Sequence, residues 1–209
     1  MQEVFPLPDT VLFPGVVLPL HIVEPRYRDL VADALATHRH MVLVMVEPGQ
    51  ASLVTPPLCE VGCAARIIHA ETLERGRYNI LLQGVDRVRL RRELPSGRAY
   101  RCFATELIAR PCAATVKGAQ QELARLQSCV FSLGHAAAES DRELVEVLRS
   151  TACPVELADI LAAVLVREPG RQQTLLATAE LRRRLGSLLE YLAEALLRYG
   201  APSASAKSN

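Results

Sequence analysis

At 209 residues the chain is long enough for one large domain or two small ones, and with half its residues hydrophobic and 22% charged it is excluded from the disordered class. Lys and Arg number 24 against 23 Asp and Glu, a formal net charge of +1, which excludes a global basic attraction to nucleic acid or membrane and leaves only a local patch. The N-terminus has no basic start followed by an apolar core, and no apolar run reaches the length of a membrane span, so neither a secretory signal nor a transmembrane helix is expected.

The first organised stretch is Phe5 to Leu35. An apolar run bounded by prolines ends at Ile22, and the spacing then switches to that of a helix. Pro25 after Glu24 fits an N1 proline after its cap, because the missing N–H would lack a partner there anyway. Tyr27, Leu30, Val31, Ala34 and Leu35 form one apolar stripe. Met41 to Val46 reads as a buried strand, and the loop with Pro56 and Pro57 cannot sit inside a sheet. Val61 to Ile68 alternates with period two, Glu71 to Arg77 supplies a turn in which Gly76 takes positive φ, and Tyr78 to Leu82 returns as a strand. Gly84 opens a further turn. Arg87, Arg89 and Arg91 then alternate with Val88 and Leu90, giving one basic and one apolar face. Tyr100 to Ile108 is the last strand. Short strands at close spacing with one interrupting helix suggest a small barrel, since closure removes exposed sheet edges.

Pro111 marks a change of regime, and from about Gly118 onward the spacing is helical. Leu123, Leu126, Val130 and Leu133 share a stripe that Gly134 ends. Ser140 and Glu143 have capping-box spacing, predicting a helix from Asp141 to about Ser150. Pro154 opens another helix with Leu157, Ile160, Leu161 and Val164, which Pro169-Gly170 stops. The last helix presents Leu181, Leu185, Leu188, Leu189, Leu192, Leu196 and Tyr199 on one face and ends at Gly200. Glu194 and Arg198 stand at a supportive i, i+4 spacing. The tail 201–209 is small and polar and reads as disordered.

The order FPL, TVLFPG, LPL and EPRYRDLV resembles the opening of the N-terminal substrate-binding domain of Lon proteases. VGCAARI and LLQGVDRVRL are similar to that family's hairpin and its following arginine strand. PVELADILAAVL, then QQTLLATAELRRRLGSLL, resembles its helical part, with Pro154, Leu157, Ala158, Asp159, Gln173, Leu175, Leu176, Arg184 and Leu185 on the pattern. His21 stands where the family usually has Arg or Lys, and Ala177 where an acidic residue is usual. The resemblance implies an α+β fold: a PUA-like antiparallel β-barrel with one interrupting helix, followed by a C-terminal α-helical bundle. The expected division is a barrel subdomain over 1–110, a linker over 111–117, a helical bundle over 118–200 and the tail over 201–209.

Whether this is an enzyme turns on missing motifs. There is no G-x-x-x-x-G-K-[ST] phosphate loop and no G-x-S-x-G elbow. The two lysines, Lys117 and Lys207, sit in a linker and in the tail, not in desolvated places suited to the base of a Ser-Lys pair. The six cysteines form no C-x-x-C pair and read as small buried hydrophobes in a reducing cytoplasm. His38 and His40 lack a third metal ligand and read as a solvated loop pair, while His69 near Glu71 reads as a surface contact. No catalytic, cofactor or metal residue is therefore assigned. Arg87, Arg89 and Arg91 are the best charged candidate, but no aromatic residue interleaves them to stack on bases. Arg26, between Glu24 and Tyr27, is a second candidate for partner binding.

The resemblance and the missing motifs together lead to a stand-alone Lon N-domain-like protein without a catalytic centre. Its expected partner is an unfolded or extended polypeptide, or another protein, held on apolar surface in the groove between barrel and bundle. The alternative is a nucleic-acid-binding module acting through Arg87, Arg89 and Arg91.

Overall fold

The computed structural model describes residues 1–136 and 153–200. Six strands are β1 (Gln2–Leu7), β2 (Val17–Ile22), β3 (His40–Met45), β4 (Val61–Thr72), β5 (Tyr78–Leu94) and β6 (Cys102–Leu107). The helices are α1 (Pro25–Ala36), α2 (Ala113–Gly118), α3 (Gln120–Ala136), α4 (Pro154–Leu165), α5 (Pro169–Ala177) and α6 (Leu181–Gly200).

The strand order is β2-β5-β4-β3-β1-β6, and β6 also pairs with the far half of β5, so five strands close into a barrel while β2 hangs on the near half of β5. One pair departs from the antiparallel expectation: β1 and β3 run parallel, from Val4 opposite Val42 to Leu7 opposite Met45. Parallel neighbours need a crossover, and the segment carrying α1 supplies it. That helix begins at Pro25 after Glu24 and buries Tyr27, Leu30, Val31 and Ala34. The Phe5 and Tyr27 rings meet edge to face, with centroids 4.5 Å apart.

Two cores lie on opposite sides of the sheet. Met41 and Leu43 of β3 join α1, Ile80 and Leu82 in one, while Val42 and Val44 join Val4, Val88, Leu90 and Phe103 in the other. Burial on both faces is why β3 reads as an unbroken apolar run. On β5 the even-numbered residues change sides because of a bulge: Ala64 faces Asp86 but Ala65 faces Gly84, leaving Val85 as the extra residue. Gly84 is thus inside a strand of 17 residues, not in the expected turn. A Cβ there would lie 2.1 Å from the Phe13 carbonyl oxygen, so glycine serves close approach of the loop backbone, fixed by Gly15 N–H to Gly84 O and Gly84 N–H to Val16 O, both 2.9 Å.

The helices share a third core with the barrel: Phe13 and Val61 pack with Leu126, Leu161, Leu175, Leu185, Leu188 and Leu192. Three helical expectations are corrected. Most of the expected linker 111–117 is helical, since α2 begins at Ala113 and ends at Gly118, and α3 runs through Gly134 to Ala136. Pro169 opens α5 instead of stopping α4, which has already ended at Leu165; the same N1 logic that launches α1 and α4 applies here. Gln172 turns back to donate to the carbonyls of Ala163 and Val166 at 3.0 and 2.7 Å, satisfying groups at the end of α4. The expected helix 141–150 and the tail 201–209 lie outside the described residues, as does the side chain of Arg198.

Candidate functional site

Arg87 is the first residue after the bulge to face the helices. It is 7% exposed, and its Nη1 and Nη2 donate to the two carboxylate oxygens of Asp159 in α4 at 2.9 and 2.5 Å. Its Nε donates to the Leu176 carbonyl at the end of α5 at 3.1 Å. Gln173 adds a bond from its Nε2 to the Val61 carbonyl on β4 at 2.8 Å. These bonds tie α4 and α5 to the barrel wall. Alternation places Arg87 on one basic face with Arg89 and Arg91, but Arg87 is buried where they are not. The bundle covers this part of the strand, and a buried guanidinium needs its donors filled.

Arg89 pairs with Glu60 at 2.6 Å, and Arg91 pairs with Glu106 on β6. Arg26 pairs with Glu24 at 2.9 Å and lies 4.5 Å above the Tyr27 ring. Glu24 thus spends its carboxylate on Arg26 and makes no side-chain cap on α1. Arg26 lies on α1, apart from the three candidate arginines of β5, and each of the four has a carboxylate of this chain beside it. His38 and His40 have ring centroids 5.8 Å apart, with His38 Nε2 3.7 Å from Glu3. Among the described residues no group of His, Cys, Asp or Glu could hold a metal ion. Of the cysteines, Cys63 and Cys102 are buried, Cys112 is exposed, and none is in a disulfide. Burial pushes the Cys63 thiol up to about 12.

Where β5 meets the helices there is a cleft of about 510 Å³. Its walls mix apolar residues such as Pro14, Ile108, Val116 and Val155 with Arg66, Asp86, Arg110 and Glu156, and Asp159 and Arg184 form part of its floor. The groove expected to be an apolar trough is thus heavily charged. The large exposed apolar side chains lie elsewhere, among them Val17 at 42% and Ile68 at 38% exposure.

Those two belong to a face that sequence reasoning missed. Among the described residues β2 pairs only with β5, and its other edge carries no strand. Val17, Pro19 and His21 are exposed along it, while Leu18, Leu20 and Ile22 turn toward the α1 core. Pro19 sits opposite Leu81, itself opposite His69, and these line a shallow groove of about 370 Å³ with Leu20, His21, Asn79 and Ile80. One row further on, His21 Nδ1 donates to Asn79 Oδ1 at 2.7 Å, and Asn79 Nδ2 donates to Glu71 Oε2 at 3.1 Å. Glu71 is thereby engaged with Asn79. The legible signal was Pro19 itself, since a proline inside a strand marks a sheet edge.

A mixed barrel closed by β5 and β6, with a helical part docked through a buried Arg–Asp pair and one open-edged strand, defines the fold class. The solved N-terminal domain of Mycobacterium avium complex Lon protease superposes with a TM-score of 0.72, covering 92% of this chain and 98% of its own at 15% identity. The Lon N-terminal domain protein from Xanthomonas campestris superposes with a TM-score of 0.62 at 21% identity, covering 90% and 96%. Among curated relatives, a Lon protease of Roseiflexus castenholzii is 31% identical over 191 residues, 90% of this chain and 23% of its own length. A Lon protease 2 of Myxococcus xanthus is 30% identical over 198 residues, again 90% and 23%. The chain spans under a quarter of the length of these relatives. Residues 2–194 match the family described as the ATP-dependent protease La (LON) substrate-binding domain, and the chain belongs to that family.

Proposed function

We propose that this chain is a non-catalytic module that binds extended or unfolded polypeptide, the substrate class that a protease's substrate-binding domain implies. The observation that carries this reading is the face of β2: an open edge beside an apolar groove, with Val17, Pro19 and Ile68 exposed. A strand added there gains main-chain hydrogen bonds whatever its sequence, and alternate side chains gain apolar burial. Pro19 lacks an N–H and interrupts the edge, which limits self-association through the same surface. The unbridged cysteines agree with a reducing cytoplasm. The alignment with relatives covers only their substrate-binding part, so their protease activity is not carried over, and casein incubated with the full chain is expected to stay intact with or without ATP.

Fluorescence anisotropy with a labelled, permanently unfolded polypeptide tests the reading. Saturable binding by the native chain, weakened about tenfold by Val17→Asp or Ile68→Asp through the cost of burying a carboxylate, is expected. Absence of binding by the native chain would remove it. So would unchanged binding in both variants.

A further inference from the structure

Arg184 of α6 is 3% exposed, yet its Nε and Nη2 have no hydrogen-bond partner. These two nitrogens are the side-on edge of the guanidinium, the edge that grips a carboxylate with two parallel bonds. The third nitrogen, Nη1, donates to the Thr178 carbonyl at 3.2 Å. Asp159 does not fill the fork: its Oδ1 lies 3.9 Å from Arg184 Nε, and both its oxygens are taken by Arg87. One carboxylate is thus shared by two buried guanidinium groups. Burial, and then the charge of Arg87, holds the Arg184 guanidinium down at about 10, with Asp159 opposing. A buried donor pair left without an acceptor is costly, and in a native structure it points to a missing partner.

Arg184 forms part of the floor of the cleft of about 510 Å³. Cys153, Val155 and Glu156, at the start of α4, form one wall, where the first-turn N–H groups lack a carbonyl a turn back and no side chain caps the helix. Arg66 stands at the side, exposed, with no salt bridge among the described residues. Four arginines line the cleft (Arg66, Arg87, Arg110, Arg184) against three carboxylates (Asp86, Glu156, Asp159), an excess of one positive charge.

We propose that this cleft is a carboxylate-binding site, in which the side-on edge of Arg184 takes the anion bidentately and Arg66 closes over it. A single negative charge balances the excess. A phosphate dianion overshoots it and meets the repulsion of Asp86 and Glu156. The cleft is continuous with the β2 face, because Gln83 lines the cleft while sitting opposite both Val17 and Arg66. The carboxylate therefore comes either from a polypeptide lying along β2, as its C-terminus or an acidic side chain, or from a small free acid. The first source rests on the polypeptide reading and the second does not.

Isothermal titration of the full chain decides, using acetate, inorganic phosphate, and an acetylated tetrapeptide Ala-Ala-Val-Leu ending in either a free carboxylate or an amide. The expected result is one saturable site for acetate, the acid peptide or both, with the amide at least about tenfold weaker than the acid wherever the peptide binds. Arg184→Met abolishes it. Should that variant fail to fold, Arg184→Lys keeps the charge without the fork and loses about tenfold, and the exposed Arg66→Gln loses a smaller factor. The proposal is overturned by no carboxylate binding in the native chain, by equal binding of acid and amide peptides, by phosphate binding more tightly than either carboxylate, or by affinity unchanged in the folded variants. Val17→Asp separates the two readings: loss of unfolded-polypeptide binding with acetate still bound supports both, and acetate binding without any polypeptide binding leaves the carboxylate site standing alone.

Discussion

One strand, β5, builds two opposite surfaces. Before the bulge at Val85, Leu81 and Asn79 face outward beside β2, where apolar side chains stay exposed and an edge stays open. After the bulge, Arg87 is covered by α4 and α5 and its charge is neutralised inside the molecule. The difference inverts the usual distribution: a charged cluster is buried to join two parts of the fold, and an apolar patch remains outside. The junction therefore governs stability, and the β2 face, which does not, carries the proposed polypeptide contacts.

The largest test of that contrast is Asp159→Ala. Removing the shared carboxylate strands Arg87 and Arg184 without a counter-charge, so a loss of about 3–5 kcal/mol is expected in urea unfolding, as for other broken buried pairs. Val17→Asp on the β2 face is expected to leave the same midpoint nearly unmoved, within about 0.5 kcal/mol, as an exposed substitution does. Equal losses at the two sites would erase the contrast.

Next in size is Gly84→Ala at the hinge between the surfaces. Its Cβ would sit 2.1 Å from the Phe13 carbonyl oxygen, a backbone atom that cannot swing aside. A loss of about 1–3 kcal/mol is expected, the range for an overpacked interior. A measured change near zero would mean that the loop carrying Phe13 gives way.

These residues also mark where the sequence was legible. The α1 stripe and its N1 proline were readable because both signals are local, and the apolar run of β3 because burial on both faces leaves no alternation to misread. Gly84 reads as a turn in sequence because a glycine in a strand looks the same whether the chain bends or another backbone approaches. Arg87 looked like its neighbours Arg89 and Arg91 because its partner is 72 residues away. The one available hint was Asp159 standing in the apolar run LADILAAVL, since a lone acid there calls for a cation. Arg184 fell on the family pattern, but only the three-dimensional pairing reveals that Asp159 cannot serve both arginines.

A third test uses pH. The Cys63 thiol, buried between β3 and β5, is raised from the usual 9 to about 12, so it stays neutral in the folded chain where the unfolded chain ionises. The unfolded state then carries fewer protons, and stability, full below pH 9, falls as pH rises by up to about 1.4 kcal/mol per unit. Arg184, held at about 10, acts in the opposite sense at higher pH, because there the folded state gives up its proton first. The interval between pH 9 and 10 keeps Arg184 out of the titration but includes Cys59, which burial also raises, so the Cys63 share is read as the difference from the Cys63→Ala variant. Cys63→Ala should remove this contribution to the slope of urea midpoints against pH, and a slope unchanged by that substitution would contradict the assignment.

The smallest effect belongs to Arg91→Ala. Arg91 and Arg87 are four residues apart on one strand and read alike in sequence, yet the Arg91 side chain is 52% exposed and its Glu106 partner 58%. Such a pair is screened by water, and holding two long side chains together offsets most of the attraction, so a loss of about 0–1 kcal/mol is expected and less still at high salt. Arg87→Ala should lie several-fold above it, because deleting Arg87 leaves the Leu176 carbonyl and both carboxylate oxygens of Asp159 without their donors in a buried place. Matched urea curves at low and high salt give the comparison directly. If the two arginines cost the same, Arg87 is not the buried link between barrel and helices, and the division of β5 into an exposed half and a structural half fails with it.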